Sequence, residues 1–192
     1  MTRVVIPTWN ASGVLPPVSA SAPTGPERSP YPVSLSEFML RFATSAKRQQ
    51  ILNGFLQYRA LLHSAGLNSG FQWLDGSFLE NIEITEARDP NDLDVVTFFS
   101  LPAGVTQQQV LAAQPSLTDR NHLKATYHVD AFLVSLGQRG PELVERSVYW
   151  YSIWSHRRDA TWKGFLQIDL DPADDQLAAL PPSVSVSPGG SP

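Results

Sequence analysis

The chain has 192 residues, 42% of them hydrophobic and 17% charged, enough apolar material for one domain of ordinary size with a real core. Global disorder is thereby excluded, and because no run approaches about 18 apolar residues a membrane-spanning helix is excluded as well. The absence of cysteine removes disulfides, thiolate zinc sites and cysteine nucleophiles, and a formal charge of −4 argues against a protein that grips nucleic acid by its overall field.

The opening MTRVVIPTWNASGVLPP lacks the continuous apolar core of a secretory signal, so a cytoplasmic protein is expected. Seven of the 16 prolines lie at or before Pro32 and five at or after Pro172, which sets off two ends from a proline-poor middle. The resulting division is a proline-rich arm and extended linker over 1–32, a folded domain over 33–171 and a disordered tail over 172–192. Within the arm, Val4, Val5, Ile6, Trp9, Val14 and Leu15 are too apolar for a free tail and are expected to be buried on the domain or on a partner chain.

Ser34 and Glu37 have the spacing of a capping box, and Leu35, Phe38, Met39 and Phe42 follow at helical intervals. A second helix is expected over 45–63, with a stripe of Ile51, Leu52, Phe55, Leu56 and Leu62 and a stop at Gly66. FQWLD (71–75) reads as a short strand, followed by Gly76, Ser77 and a short helix over 78–81. LDVVTFF (93–99) reads as a largely buried strand, 106–113 as a short helix and TYHVDAFLVSL (126–136) as a third strand. Pro141 opens a helix to Trp154, and KGFLQIDL (163–170) alternates as a last strand. Helices alternating with strands predict an α/β fold, a mixed β-sheet flanked by helices.

The chemistry concentrates in two stretches. Asp92 and Asp94 stand two apart at the start of a strand, so their carboxylates share a face, with Cα atoms about 6–7 Å apart, and can hold a hard cation. The same pattern also occurs as a plain turn and strand cap. Gly76 and Ser77 close the preceding strand, where a glycine admits a phosphate to the backbone and a serine adds a hydroxyl; an ordinary N-cap is the alternative. Asp130 lies in the apolar run VDAFLV and needs a partner, either a metal, a base or a hydrogen-bond network. His128 would share its strand face, more as packing than as a ligand. From Arg120 to Lys163 seven basic residues face four acidic ones, and Lys163, Arg157 and Arg158 are the cations to consider for phosphate or acceptor contact, or else a solvated surface.

Tyr149, Trp150, Tyr151, Trp154 and Trp162 could stack bases, although Val148, Tyr151 and Trp154 also fit the inner stripe of a helix. The four histidines show neither HxxxH nor HExxH spacing, so zinc is not expected.

Together, GSF followed by DPNDLDVV resembles the Gly-Ser…Asp-x-Asp signature of the polymerase-β-like nucleotidyltransferase superfamily. More narrowly, IPTWNASGVLPP, LSEFMLRFATSAKRQ, the GSF block and YWYSIWSHRRDATWKGFLQIDL resemble a small bacterial and phage-associated family with such a core. The chain departs from the wider superfamily in its longer gap between Gly76 and Asp92 and in lacking Arg-Gly after the Gly-Ser. The resemblance implies a minimal nucleotidyltransferase fold and Mg²⁺- (or Mn²⁺-) dependent transfer of a nucleoside monophosphate from an NTP to a hydroxyl of RNA, protein or a small molecule. Asp92, Asp94 and Asp130 would serve the metals and the attacking hydroxyl, and Gly76 and Ser77 the phosphates. A toxin–antitoxin or phage-defence setting, a partner protein or a homo-oligomer also follow only from the resemblance. The alternative is a catalytically inactive member of the fold that binds or regulates a partner.

Overall fold

The computed structural model describes residues 4–178, and over them the chain is α/β with a mixed five-stranded sheet flanked by helices. In chain order the strands are β1 (Tyr31–Pro32), β2 (Gly70–Asp75), β3 (Leu93–Phe99), β4 (Val129–Ser135) and β5 (Leu166–Asp169). The helices are α1 (Leu35–Phe42), α2 (Ala46–Ser64), α3 (Ile82–Thr85), α4 (Gln107–Ala113), α5 (Arg120–Tyr127), α6 (Gly140–Trp154) and α7 (Pro172–Ala178), with short 3₁₀ turns at Ser77–Leu79 and Pro115–Thr118. The spatial order of the sheet is β1-β5-β2-β3-β4. β1 runs parallel to β5 and β3 parallel to β4, while β2 is antiparallel to both of its neighbours. Among the described residues, no helix is long and apolar enough to cross a membrane.

The capping box forms as its residues dictate, with Ser34 Oγ accepting from Glu37 N and the Glu37 carboxylate accepting from Ser34 N. Leu35, Phe38, Met39 and Phe42 are the buried face of α1. On one face of the sheet, α2 packs so that Tyr58 reaches Thr97 and Arg59 donates to Gln72 Oε1 at 2.6 Å. On the other, Trp150 and Trp154 of α6 pack on Phe132 and Phe165, with centroids 4.4 and 5.8 Å apart. Strand residues alternate between these two layers.

Several expectations change. The strand expected over 126–136 is a helix and a strand. Asp119 caps α5 by accepting from His122 N, Leu123 is its buried anchor, and His128 turns the chain in the left-handed region (φ 55°) before β4 begins. Gly54 permits this packing, since a Cβ there would lie 2.1 Å from the Tyr127 carbonyl oxygen. His128 therefore does not share the face of Asp130, and its ring pairs with the Gln50 amide instead.

The segment expected as an extended linker folds back on itself. Val18 and Arg28 form a bridge, and Tyr31 and Pro32 become an edge strand, a position where proline's missing N–H is tolerated. Residues 172–178, expected in the disordered tail, form α7, which Asp175 anchors to the fully buried Arg59 with bonds of 2.5 and 2.9 Å. A guanidinium with no exposure needs a counter-charge, and α7 brings it. The remainder of that tail reading, 179–192, lies outside the described residues.

On α6 the inner stripe is Trp150 and Trp154, while Val148 is 61% and Tyr151 38% exposed. Finally, the last strand shrinks to Leu166–Asp169, whose first three residues are buried because β1 and β2 flank it.

The N-terminal arm packs on the domain. Val14 and Leu15 are buried, Trp9 donates to the Leu79 carbonyl at 2.7 Å, and Ile6 and Val4 lie against the core. Val5 alone of that set is open to solvent, at 87%.

Candidate active site

The pairing register builds the site. Asp75 of β2 sits opposite Asp94 of β3, and Asp94 sits opposite Asp130 of β4, so three carboxylates form a row across three adjacent strands. Asp92, two residues before Asp94, joins them on the same side. Gly76 then turns the chain with φ 87° and ψ −179°, a conformation essentially confined to glycine. It also packs against the row, since a Cβ at Gly76 would lie 2.5 Å from Asp94 Oδ2. The row forms part of the wall of a cleft of about 710 Å³. All eight residues singled out from the sequence line it: Asp92, Asp94, Asp130, Gly76, Ser77, Lys163, Arg157 and Arg158.

The charges are not equivalent. Asp94 makes no hydrogen bond or ion pair among the described residues, and burial, then the neighbouring Asp75, Asp92 and Asp130, push its carboxyl up to about 7. Burial likewise raises Asp75 to about 6, against the pull of Lys163. Lys163 Nζ lies 3.0 Å from Asp75 Oδ1 and 3.0 Å from Glu80 Oε1. Burial alone would lower its ammonium, but these two carboxylates hold it above the usual lysine range. Arg157 is fixed in turn, donating from Nε to Glu80 Oε2 at 2.7 Å. Lys163 and Arg157, expected as phosphate contacts, thus brace the floor of the cleft. Arg158 has no ion pair among the described residues and is exposed at the rim.

Two further cations come from α5. Arg120 grips Asp130 through three bonds of 2.7–2.9 Å, its guanidinium 4.3 Å from the Phe132 ring centroid. Lys124, one helical turn on, lies 2.5 Å from Asp92 Oδ2 and 3.8 Å from Asp130 Oδ2. Behind the cleft, the fully buried Arg48 ties down the segment after Ser77, donating to the Phe78 and Glu80 carbonyls and to Glu83.

Sequence reasoning missed Asp75, Glu80, Arg120 and Lys124. Asp75 carried a signal like that of Asp130, a charge in an otherwise largely apolar strand. Glu80 gave none, because its partners Arg157 and Lys163 are far away in the chain, and Arg120 and Lys124 gave none, because the helix that aims them at Asp130 and Asp92 is not legible.

The donors offered to a cation are carboxylate oxygens, one of them partnerless, which is the chemistry of a hard divalent ion such as Mg²⁺. Among the described residues no three His, Asp or Glu side chains stand as a finished metal cage, Asp92 and Asp130 being turned to Lys124 and Arg120.

A search of curated proteins returns no match, and neither does a search of solved structures. The profile of a family of unknown function (DUF6932) matches residues 7–169, and the chain belongs to that family.

Proposed function

We propose that the cleft is the active site of a Mg²⁺- or Mn²⁺-dependent nucleotidyltransferase that moves a nucleoside monophosphate from an NTP to a hydroxyl group. The observation that carries this reading is Asp94, a half-buried carboxylate with no hydrogen bond or ion pair among the described residues, flanked in register by Asp75 and Asp130 and approached within contact distance by the Gly76 turn. A buried charge left unpaired costs several kcal/mol unless a cation completes it. Asp92, Asp94 and Asp130 would hold the metal, whose contribution when bound is to neutralise charge on the phosphate oxygens.

The other residues have separable tasks. Gly76 lets the turn pass close against the Asp94 carboxylate, Ser77 offers a hydroxyl that is unengaged among the described residues, and Arg158 supplies positive charge at the rim. In the transfer, the acceptor oxygen bonds to the α-phosphorus, the bond from that phosphorus to the bridging oxygen breaks, and diphosphate leaves with the electron pair. The hydroxyl proton passes to Asp130, the more open end of the row, at 17% side-chain exposure. The NTP pool such an enzyme draws on is cytoplasmic, and we assign it that setting.

The test is to incubate the protein with Mg²⁺ and each α-phosphate-labelled NTP, with RNA, protein and the chain itself as acceptors. Wild type is expected to transfer label. Asp94→Asn is expected to lose transfer while melting at an equal or higher temperature in a chelating buffer, because it removes a charge crowded by three others. A wild type that neither binds Mn²⁺ with nucleotide nor transfers label refutes the reading.

A further inference from the structure

Two kinds of cation pair with the carboxylates of the cleft. Lys163 and Arg157 are 7% and 18% exposed and each is pinned to acids that are themselves buried, so neither can leave without stranding a charge. Arg120 and Lys124 are different. Their side chains are 55% and 53% exposed, yet the carboxylates they cover are only 17% and 16% exposed.

Both sit on one face of α5, one turn apart, and reach Asp130 and Asp92. Releasing them returns long, flexible side chains to water at little cost, whereas the carboxylates beneath need a counter-charge at all times. A dication arriving at Asp92 and Asp130 must therefore displace these two side chains. Once displaced, an ammonium and a guanidinium remain at the cleft mouth within a side chain's length of the row, where a polyphosphate would lie.

Resting on the metal-dependent reading above, we propose that Arg120 and Lys124 are exchangeable counter-ions that cover Asp130 and Asp92 until a divalent cation takes those carboxylates, and that then bind the phosphate oxygens of the nucleotide. Arg120, with its planar fork, suits two oxygens of one phosphate, and Lys124 acts as a point charge. The exchange makes metal and nucleotide arrive together, because the metal frees the groups that the nucleotide uses.

The signature is a pair of opposite effects from one substitution. Lys124→Met and Arg120→Met keep the apolar stem and remove the charge. In the full-length protein, each is expected to tighten binding of Mn²⁺ alone, read by electron paramagnetic resonance, by roughly three- to tenfold. Each is also expected to weaken binding of a nonhydrolysable NTP at saturating Mg²⁺ by a similar factor. Lys124→Arg should restore the nucleotide affinity, which a purely structural role would not require. Circular dichroism melts confirm that the variants fold.

Mn²⁺ affinity that fails to rise, or nucleotide affinity that fails to fall, overturns the exchange while leaving the metal site standing. Absence of Mn²⁺ binding in the wild type and in both variants overturns the metal-dependent reading itself.

Discussion

Replacing Gly76 by alanine tests the geometry on which the site depends. The first consequence is conformational: φ 87° with ψ −179° is nearly forbidden to a residue with a Cβ, at a cost of about 1–3 kcal/mol. The second is steric. The new methyl would lie 2.5 Å from Asp94 Oδ2 and 3.0 Å from Asp94 Cγ. These are the outer atoms of a side chain, so relief comes from turning the Asp94 carboxylate away from the row rather than from moving the strand. Gly76→Ala should therefore lower Tm by roughly 3–10 °C, the shift that 1–3 kcal/mol produces in a domain of this size. It should also remove Mn²⁺ binding far more completely than the loss of stability explains. A double-mutant cycle with Asp94→Ala separates the two effects by urea denaturation. Without the carboxylate, alanine at position 76 retains the conformational cost but loses the clash, giving a coupling of about 1 kcal/mol. A Gly76→Ala protein that melts with wild type, or a cycle with no coupling, refutes the close approach of turn and row.

Two other substitutions probe the chain ends. Partial burial by itself raises the Asp175 carboxyl, but hydrogen bonds with His63 and Arg59 prevail and hold it below its ordinary 3.8. An acid depressed in this way stabilises the fold above its unfolded pKa, and the gain drains away as pH falls through and below that value. Asp175→Asn should thus cost roughly 2–3 kcal/mol at neutral pH and progressively less at about pH 3, as measured by urea titration; a gap of equal size at both refutes the anchoring role. Trp9→Ala removes a ring that donates to Leu79 O and lies 4.0 Å from the Arg41 guanidinium, and should cost about 2 kcal/mol in the same assay; a variant as stable as wild type shows that the arm adds nothing to the domain.

What could be read in advance followed from local rules. Ser34 and Glu37 announce α1 because a capping box is complete within four residues. Leu93–Phe99 announces β3 because only a strand buries such a run, and Asp130 betrays itself as a charge no apolar strand carries without reason. α5 is not legible because eight residues with one buried side chain show no stripe. The inner face of α6 differs from the stripe expected because nearly every position from Val148 to Trp154 is apolar or aromatic, so periodicity cannot pick a side. β1 is two residues long, one of them proline, and exists only because β5 is there to receive it. The ion pairs needed tertiary knowledge: Lys163 meets Glu80 across 83 residues. Only the strand register shows that Asp75, hidden beside a conspicuous glycine, stands opposite Asp94.

The order of strands in the sheet also bears on how the chain is made. β5 lies between β1 and β2, and among the described strands it is synthesised last. Until residues 166–169 leave the ribosome, one long edge of β2 has no partner, and β1 has nothing to pair with. The arm waits too, since Leu15 O accepts from Gly164 N. A nascent chain shorter than this therefore carries an open slot bordered by Trp73 and Leu74, an edge of the kind that recruits foreign strands. A chain cut short before residue 166 therefore lacks the strand that joins β1 to the rest of the sheet, and is expected to aggregate through that edge rather than to form a smaller version of the fold.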